Sequence, residues 1–109
     1  MTVMDKFSLK GKTALVTGAA GLLGKQFSRA LGEAGAAVVI ADLDEKMAQA
    51  QAETLRENTI EALAVAVDVT EPESVASMVD QAVNEFGGVD VLVNSAAMDP
   101  KFDPENLQG

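Results

Sequence analysis

The chain has 109 residues, of which 48% are hydrophobic, a content that suits one small domain with its own core and excludes a disordered chain. It contains no Cys, His, Tyr or Trp, which excludes disulfides, thiolate metal sites and two of the commonest general acid–base side chains. The net charge of −9 argues against binding to nucleic acid or to an anionic membrane.

Residues 1–12 form a polar lead-in, from which Phe7 and Leu9 are expected to contact the core. This segment lacks the apolar centre of a signal peptide. No apolar run in the chain approaches the ~18 residues that a membrane span needs. A cytoplasmic protein is therefore expected.

Four apolar runs have the length of buried strands. They cover residues 13–17, 37–41, 62–67 and 89–93. Each run is nearly continuous rather than alternating, which is typical of parallel strands covered on both faces. The runs end next to polar residues, namely Thr17, Asp42, Asp68 and Asn94.

An amphipathic helix is predicted between each pair of strands, because apolar residues recur at spacings of three and four. The first helix should end at Gly35. The second should begin after an N-cap at Asp44 and reach about Asn58. The third should follow a capping box from Thr70 to Glu73 and end at Gly87. The predicted inward residues are Leu23, Phe27, Ala30, Leu31 and Ala34 in the first helix, Met47, Ala48, Ala52 and Leu55 in the second, and Val75, Met78, Val79, Ala82, Val83 and Phe86 in the third.

The order βαβαβαβ predicts an α/β fold, a doubly wound parallel sheet of the Rossmann type with right-handed crossovers and strand order 3-2-1-4. We expect residues 1–109 to form one incomplete domain of this kind, with residues 98–109 as a loop or disordered tail. The fourth strand would then be a bare edge, where self-association is expected.

A glycine turn lies between the first strand and the first helix. Gly18 allows a sharp turn off the strand, Gly21 allows backbone to approach a pyrophosphate, and Gly24 allows close packing of the helix. The helix N-terminus, including Leu22 and Leu23, would present free N–H groups to phosphates. The alternative is that these are ordinary turn glycines.

Asp42 follows the second strand, where a carboxylate can accept both hydroxyls of a ribose and repel a 2′-phosphate. Residues 18–24 contain no Lys or Arg, and Leu43 follows Asp42. The sequence therefore predicts NAD rather than NADP. The alternative is a solvated carboxylate at the start of the next helix.

Two further strand ends carry candidate site residues. Asp68 and Val69 end the third strand, where adenine would lie, although Asp68 beside Thr70 is equally consistent with a helix start. Small residues follow Asn94 at the point where the strand order reverses and ligands bind. Ser95 has no His to activate it, so we do not expect it to act as a nucleophile.

These motifs, in this order, make the chain resemble the N-terminal part of a short-chain dehydrogenase/reductase. The resemblance covers nearly the whole chain and implies hydride transfer between NAD and an alcohol or carbonyl substrate in a complete enzyme. It also implies that Asp68 and the N–H of Val69 hold adenine, and that Asn94 and Ala96 line the adenosine side and steady the sheet. The predicted cofactor-binding residues are Gly18, Ala20, Gly21, Leu22, Leu23, Gly24, Asp42, Leu43, Asp68, Val69, Asn94, Ser95 and Ala96.

The sequence also departs from the family pattern. Leu22 stands where the common short form has glycine, so the glycine spacing resembles the extended branch, while the later motifs resemble the shorter branch. Ser95 and Ala97 replace the usual Asn and Gly. The catalytic Ser and Tyr-x-x-x-Lys of the family would follow residue 109, so no catalytic residue is assigned. Residues 94–104 resemble a subgroup linked to bacterial surface-sugar and flagellin modification.

Three interpretations follow from the sequence. The chain is the cofactor half of an NAD-dependent oxidoreductase, a stand-alone nucleotide-binding module without chemistry, or a remnant that does not fold stably alone. The bare fourth strand favours the first and third, because a module selected to stand alone would guard that edge with charges or proline.

Overall fold

The structure is a computed structural model, and it describes residues 8–95. In that range the strands are β1 (Thr13–Thr17), β2 (Ala37–Asp42), β3 (Ala62–Ala66) and β4 (Val91–Asn94), and the helices are α1 (Leu22–Glu33), α2 (Glu45–Glu57) and α3 (Pro72–Phe86). Phe7, Ala96 and the predicted tail at residues 98–109 lie outside the described residues.

The strands form one parallel sheet in the order β3-β2-β1-β4, which confirms the predicted topology. The register aligns the carboxyl ends of the strands. Thr17 at the end of β1 pairs with Ala41 on one side and with Asn94 on the other, and Asp42 pairs with Ala66. The polar residues at the strand ends therefore meet along a single edge of the sheet.

Two apolar clusters cover the two faces of the sheet. On one face α2 packs Ala48, Ala52 and Leu55 against the strands, and Leu31 of α1 joins this cluster. On the other face α3 packs Met78 and Ala82. Helices on both faces explain why the strand residues from Val38 to Ala41 are completely buried.

The inward face of α1 differs from the prediction. Its buried residues are Gly24, Ser28 and Gly32, while Leu23 and Phe27 are only half-buried and Ala30 is exposed. Small residues on this face let α1 pack closely against its neighbours. At position 32, for example, an added Cβ would lie 2.6 Å from Cγ2 of Ile60. The apolar residues of α1 therefore predicted the wrong contact face, because glycine and serine form the face that is buried.

The predicted capping box of α3 is wrong. The N-cap is Glu71, with no side-chain cap, and Pro72 opens the helix. The helix instead starts one residue later, with the N–H of Val75 bonded to the carbonyl of Glu71, and the hydroxyl and the N–H of Thr70 both donate to Oδ1 of Asp68. The N-cap predicted for α2 is confirmed, since Asp44 accepts a hydrogen bond from the N–H of Met47. Met47 itself, like Val79 and Val83 of α3, is exposed rather than inward.

Glycine ends α1 and α3 as predicted. Gly35 has a φ of 111° and Gly87 a φ of 89°. At the end of α1 the N–H of Ala36 bonds to the carbonyl of Leu31 and the N–H of Gly35 to that of Gly32, which is the Schellman pattern. None of the helices within residues 8–95 combines the length and the apolar content needed to cross a bilayer.

Strand β4 begins two residues later than predicted. Before it, Asp90 bonds to Thr13 through its carboxylate, which accepts from the N–H of Thr13, and through its own N–H. In the described part of the chain β4 pairs with β1 alone and forms an edge. Leu92 on this edge is 66% exposed.

Candidate functional site

The glycine turn, residues 18–24, is held on one side by the end of β2. Gly18 leaves the strand with a φ of 68°, a conformation that favours glycine. The N–H of Ala19 then donates to the carbonyl of Ala41 at 3.2 Å, and the N–H of Ala20 donates to Oδ2 of Asp42 at 3.0 Å. Asp42 is thus bonded to the turn across 22 positions of sequence.

The end of β4 holds the turn on the opposite side. The hydroxyl of Ser95 donates to the carbonyl of Thr17 at 2.7 Å and lies 3.2 Å from that of Gly18. The N–H of Ser95 also donates to Thr17, at 3.0 Å. The hydroxyl of Thr17 donates to Oδ1 of Asn94 at 3.0 Å. Both polar residues of this strand end therefore bond to the last residue of β1.

Gly24 is required by close packing against the turn. A Cβ at this position would lie 2.3 Å from the carbonyl oxygen of Gly18 and 2.5 Å from Cα of Ala19. Gly24 therefore packs against the backbone of the turn, at Gly18 and Ala19, and not against the strand as the sequence pattern suggested.

The start of α1 leaves three backbone amides outside the helical ladder. Gly21 is the N-cap, and the first helical hydrogen bond runs from the N–H of Lys25 to the carbonyl of Gly21. The N–H groups of Leu22, Leu23 and Gly24 precede that bond and have no partner within the helix. Such amides, at the positive end of the helix dipole, bind anions such as phosphate.

A groove of about 330 Å³ runs along the carboxyl ends of β1, β2 and β3, and we call it the strand-end groove. Apolar side chains are exposed in it, with Leu43 75% and Val69 52% accessible, beside the carboxylates of Asp42 and Asp68. Its lining consists of Gly18, Ala20, Gly21, Asp42, Leu43, Asp44, Met47, Val67, Asp68, Val69 and Thr70. Apolar walls with a few polar groups suit a flat heterocycle that carries a hydroxylated sugar.

The lining of the strand-end groove carries no Lys or Arg within residues 8–95. Oδ1 of Asp42 accepts from the N–H of Asp44 at 2.9 Å, while Oδ2 accepts from Ala20. These two bonds fix the orientation of the carboxylate, and each oxygen retains capacity for a second donor.

Asp68 is held by a local turn. Its Oδ1 accepts from the hydroxyl of Thr70 at 2.6 Å and from the N–H of Thr70 at 3.0 Å, and the hydroxyl bond is the main reason that the pKa of this carboxyl lies below its ordinary value. The N–H of Asp68 donates to the hydroxyl of Ser74 in α3. The alternative that Asp68 organises a helix start is therefore seen directly, and it coexists with a place in the groove.

A larger hollow of about 810 Å³ lies elsewhere, between α1 and α2. Leu22, 61% exposed, lines this hollow together with Arg29 and Ile60. The side chain of Leu22 therefore lines this hollow and not the strand-end groove, which leaves its backbone N–H as the group that it could offer to an anion at the helix start. We favour the smaller groove as the site because strand ends, oriented carboxylates and helix-start amides converge at the glycine turn that lines it.

Several residues of the site escaped the sequence analysis. Thr17 bonds to Asn94, and Asp44, Met47 and Thr70 line the groove. The Asp-x-Thr pattern at residues 68–70 could have indicated the turn at Thr70. The others carry no local signal. No cluster of carboxylates suited to a metal ion occurs among the residues that the structure describes.

Comparison with known proteins agrees with this architecture. The family model for short chain dehydrogenases matches residues 12–108. A short chain dehydrogenase/reductase of Colletotrichum higginsianum is 44% identical over 106 residues, covering 95% of this chain and 40% of the relative. The cis-4-hydroxycyclohexanecarboxylate dehydrogenase of Sinomonas cyclohexanicum is 47% identical over 91 residues, covering 83% and 36%.

Among solved structures, a hydroxysteroid dehydrogenase from Escherichia coli superposes with a TM-score of 0.80 and 32% identity, over 83% of this chain and 38% of that one. The chain therefore spans about two fifths of the length of these relatives. The resemblance to the surface-sugar and flagellin-modification subgroup stays a prediction. The matched family model and the shared fold identify this chain as a member of the short-chain dehydrogenase/reductase family, corresponding to its N-terminal part.

Proposed function

We propose that this chain is the NAD-binding half of an oxidoreductase. The observation that carries the proposal is that an anion-binding helix start and an oriented carboxylate meet at the glycine turn. Three helix-start amides lie outside the helical ladder, and the same turn lines the strand-end groove beside the oriented carboxylate of Asp42. The amides would hold the pyrophosphate, and Asp42 would accept hydrogen bonds from the adenosine ribose.

The preference for NAD rests on charge. The 2′-phosphate of NADP carries about two negative charges and would lie beside the carboxylate of Asp42, which repels it. The described lining of the groove includes no cationic side chain that could offset this repulsion. Leu43 and Val69 would contact the adenine, and Asp68 with the N–H of Val69 would bond to its edge. Asn94 would line the adenosine side, and the same role for Ala96, which lies outside the described residues, stays a prediction.

The reaction that we propose is hydride transfer between NAD and an alcohol or carbonyl compound. NAD supplies or accepts the hydride. Two relatives carry names that specify hydroxylated substrates, a hydroxysteroid and a hydroxycyclohexanecarboxylate, which supports this substrate class. The chain contains no Tyr, so the Tyr-x-x-x-Lys of the family cannot be assigned in it. We therefore expect no turnover from residues 1–109 alone.

Calorimetric titration with NAD and with NADP tests the binding proposal. We expect weak binding of NAD, weaker binding of NADP, and loss of about tenfold or more in NAD affinity in Asp42→Asn, because a hydrogen bond to a charged group contributes roughly 1.5–3 kcal/mol. Asp80→Asn is the matched control, since it removes one exposed carboxylate from α3. Absence of heat with NAD at millimolar concentration, from folded protein, would refute the proposal.

The stand-alone module and the unstable remnant remain alternatives to this proposal. The exposed edge at β4 argues against a module that works alone, because an unguarded edge strand invites pairing with another chain. We propose that this edge mediates self-association when the chain is isolated. The cytoplasm stays the predicted compartment.

A further inference from the structure

The peptide groups at the start of the glycine turn are divided between two strands. The N–H groups of Ala19 and Ala20 point to the end of β2, where Ala41 and Asp42 accept them. The carbonyl groups of Thr17 and Gly18 point to the end of β4, where the Ser95 hydroxyl lies 2.7 and 3.2 Å from them. The turn is thus fixed in orientation from both sides.

The hydroxyl of Ser95 is not needed to satisfy those carbonyls. Thr17 already accepts from the N–H of Ser95, and Gly18 already accepts from the N–H of Gly21 at 3.2 Å. Ser95 is 1% exposed, so its side chain does not reach the strand-end groove. Its additional contacts restrict the direction in which the two carbonyls point.

The direction of the Gly18 carbonyl matters for the helix start. This oxygen lies against Cα of Gly24, as shown by the 2.3 Å distance that a Cβ there would have. Because the contact is between backbone groups, a shift of the Gly18 carbonyl toward α1 must displace the first turn of that helix. That turn carries the three amides available to a phosphate.

We propose that Ser95 is a positioning residue for the pyrophosphate site, acting through the carbonyls of Thr17 and Gly18 on the amides of residues 22–24. The proposal rests on the proposed NAD-binding function for its ligand. It assigns Ser95 no contact with the dinucleotide. The hydroxyl of Ser95 keeps the glycine turn in the geometry that binds phosphate before the ligand arrives, which lowers the cost of ordering it on binding.

The test compares Ser95→Ala with Ser28→Ala. Ser28 is a closely matched control, because its hydroxyl is also fully buried and also donates to a backbone carbonyl, that of Gly24, at 2.7 Å. Amide hydrogen exchange by NMR, without ligand, reports on the turn. In Ser95→Ala we expect the amides of Ala20 and Gly21 to exchange about tenfold faster relative to that of Leu15, which reports the core strand.

The ligand readout is the affinity for NAD by calorimetry. We expect about tenfold weaker binding in Ser95→Ala, little change in Ser28→Ala, and recovery of both readouts in Ser95→Thr, which keeps a hydroxyl. The proposal would be overturned if the exchange rates of Ala20 and Gly21, relative to that of Leu15, were the same in Ser95→Ala and Ser28→Ala. If Ser95→Ala does not fold, Ser95→Cys, a weak donor, should show the same changes at smaller size, and unchanged turn exchange there would also overturn it.

The two proposals fail separately. Wild-type chain that is folded but does not bind NAD refutes the proposed function, while the exchange comparison still decides whether Ser95 orders the turn. Normal NAD binding with unchanged turn exchange in Ser95→Ala refutes the positioning role alone.

Discussion

Replacement of Gly24 by alanine tests the packing on which the candidate site depends. The new Cβ would lie 2.3 Å from the Gly18 oxygen, which is 0.7 Å closer than the 3.0 Å below which such contacts essentially do not occur. The atoms in the way are backbone, so no side chain can rotate to relieve the overlap. Overpacking of this kind costs about 3 kcal/mol, the upper end of the usual range, and displaces the helix start.

The free energy of unfolding can be measured by urea denaturation followed by far-UV circular dichroism, since the chain has no Trp or Tyr to report by fluorescence. Gly88→Ala is the matched control, because a Cβ there meets nothing within 4 Å, and its effect should stay within about 0.5 kcal/mol. Gly32→Ala should fall between them, since its Cβ meets the movable side chain of Ile60. Similar losses in Gly24→Ala and Gly88→Ala would refute the steric reasoning.

Three further predictions concern other parts of the chain. Thr59, two residues after the end of α2, has a φ of 62°, which is strained for a β-branched residue. Thr59→Gly should therefore stabilise the protein by about 1 kcal/mol in urea denaturation, and a loss of stability would contradict this. Thr70→Ala should raise the pKa of Asp68 toward its ordinary value, as measured by NMR titration. Because the folded pKa is lowered, the bonds from Thr70 to Asp68 stabilise the fold above the unfolded pKa, and that contribution disappears as the pH falls through the folded pKa. Leu92→Lys should reduce self-association in sedimentation experiments, and unchanged association would exclude the β4 edge as the contact.

The strands and their order could be predicted because each depends on local sequence. A run of five or six apolar residues is long enough only for a strand, and short loops with intervening amphipathic helices force parallel neighbours. The start of β4 was less predictable, because Asp90, before the strand begins, bonds to Thr13 through its carboxylate, 77 positions away.

The contact face of α1 and the start of α3 could not be read from periodicity. Gly24, Ser28 and Gly32 carry little hydrophobic signal, yet they form the buried face because the glycine turn and Ile60 occupy the space beside them. A capping pattern at Thr70 is present in the sequence, but in the structure the hydroxyl of Thr70 donates to Asp68 and the helix starts after Glu71. The sequence pattern alone does not decide between these two local arrangements.

The sequence by itself determined the type of site: glycines at the end of the first strand, acidic residues at the ends of the second and third, and strand ends that must meet at one edge of a parallel sheet. Only the tertiary structure decided how that site is held. The bonds from Asp42 to Ala20 and from Ser95 to Thr17 join residues 22 and 78 positions apart. Such bonds depend on the register of three strands, and register is a property of the assembled sheet.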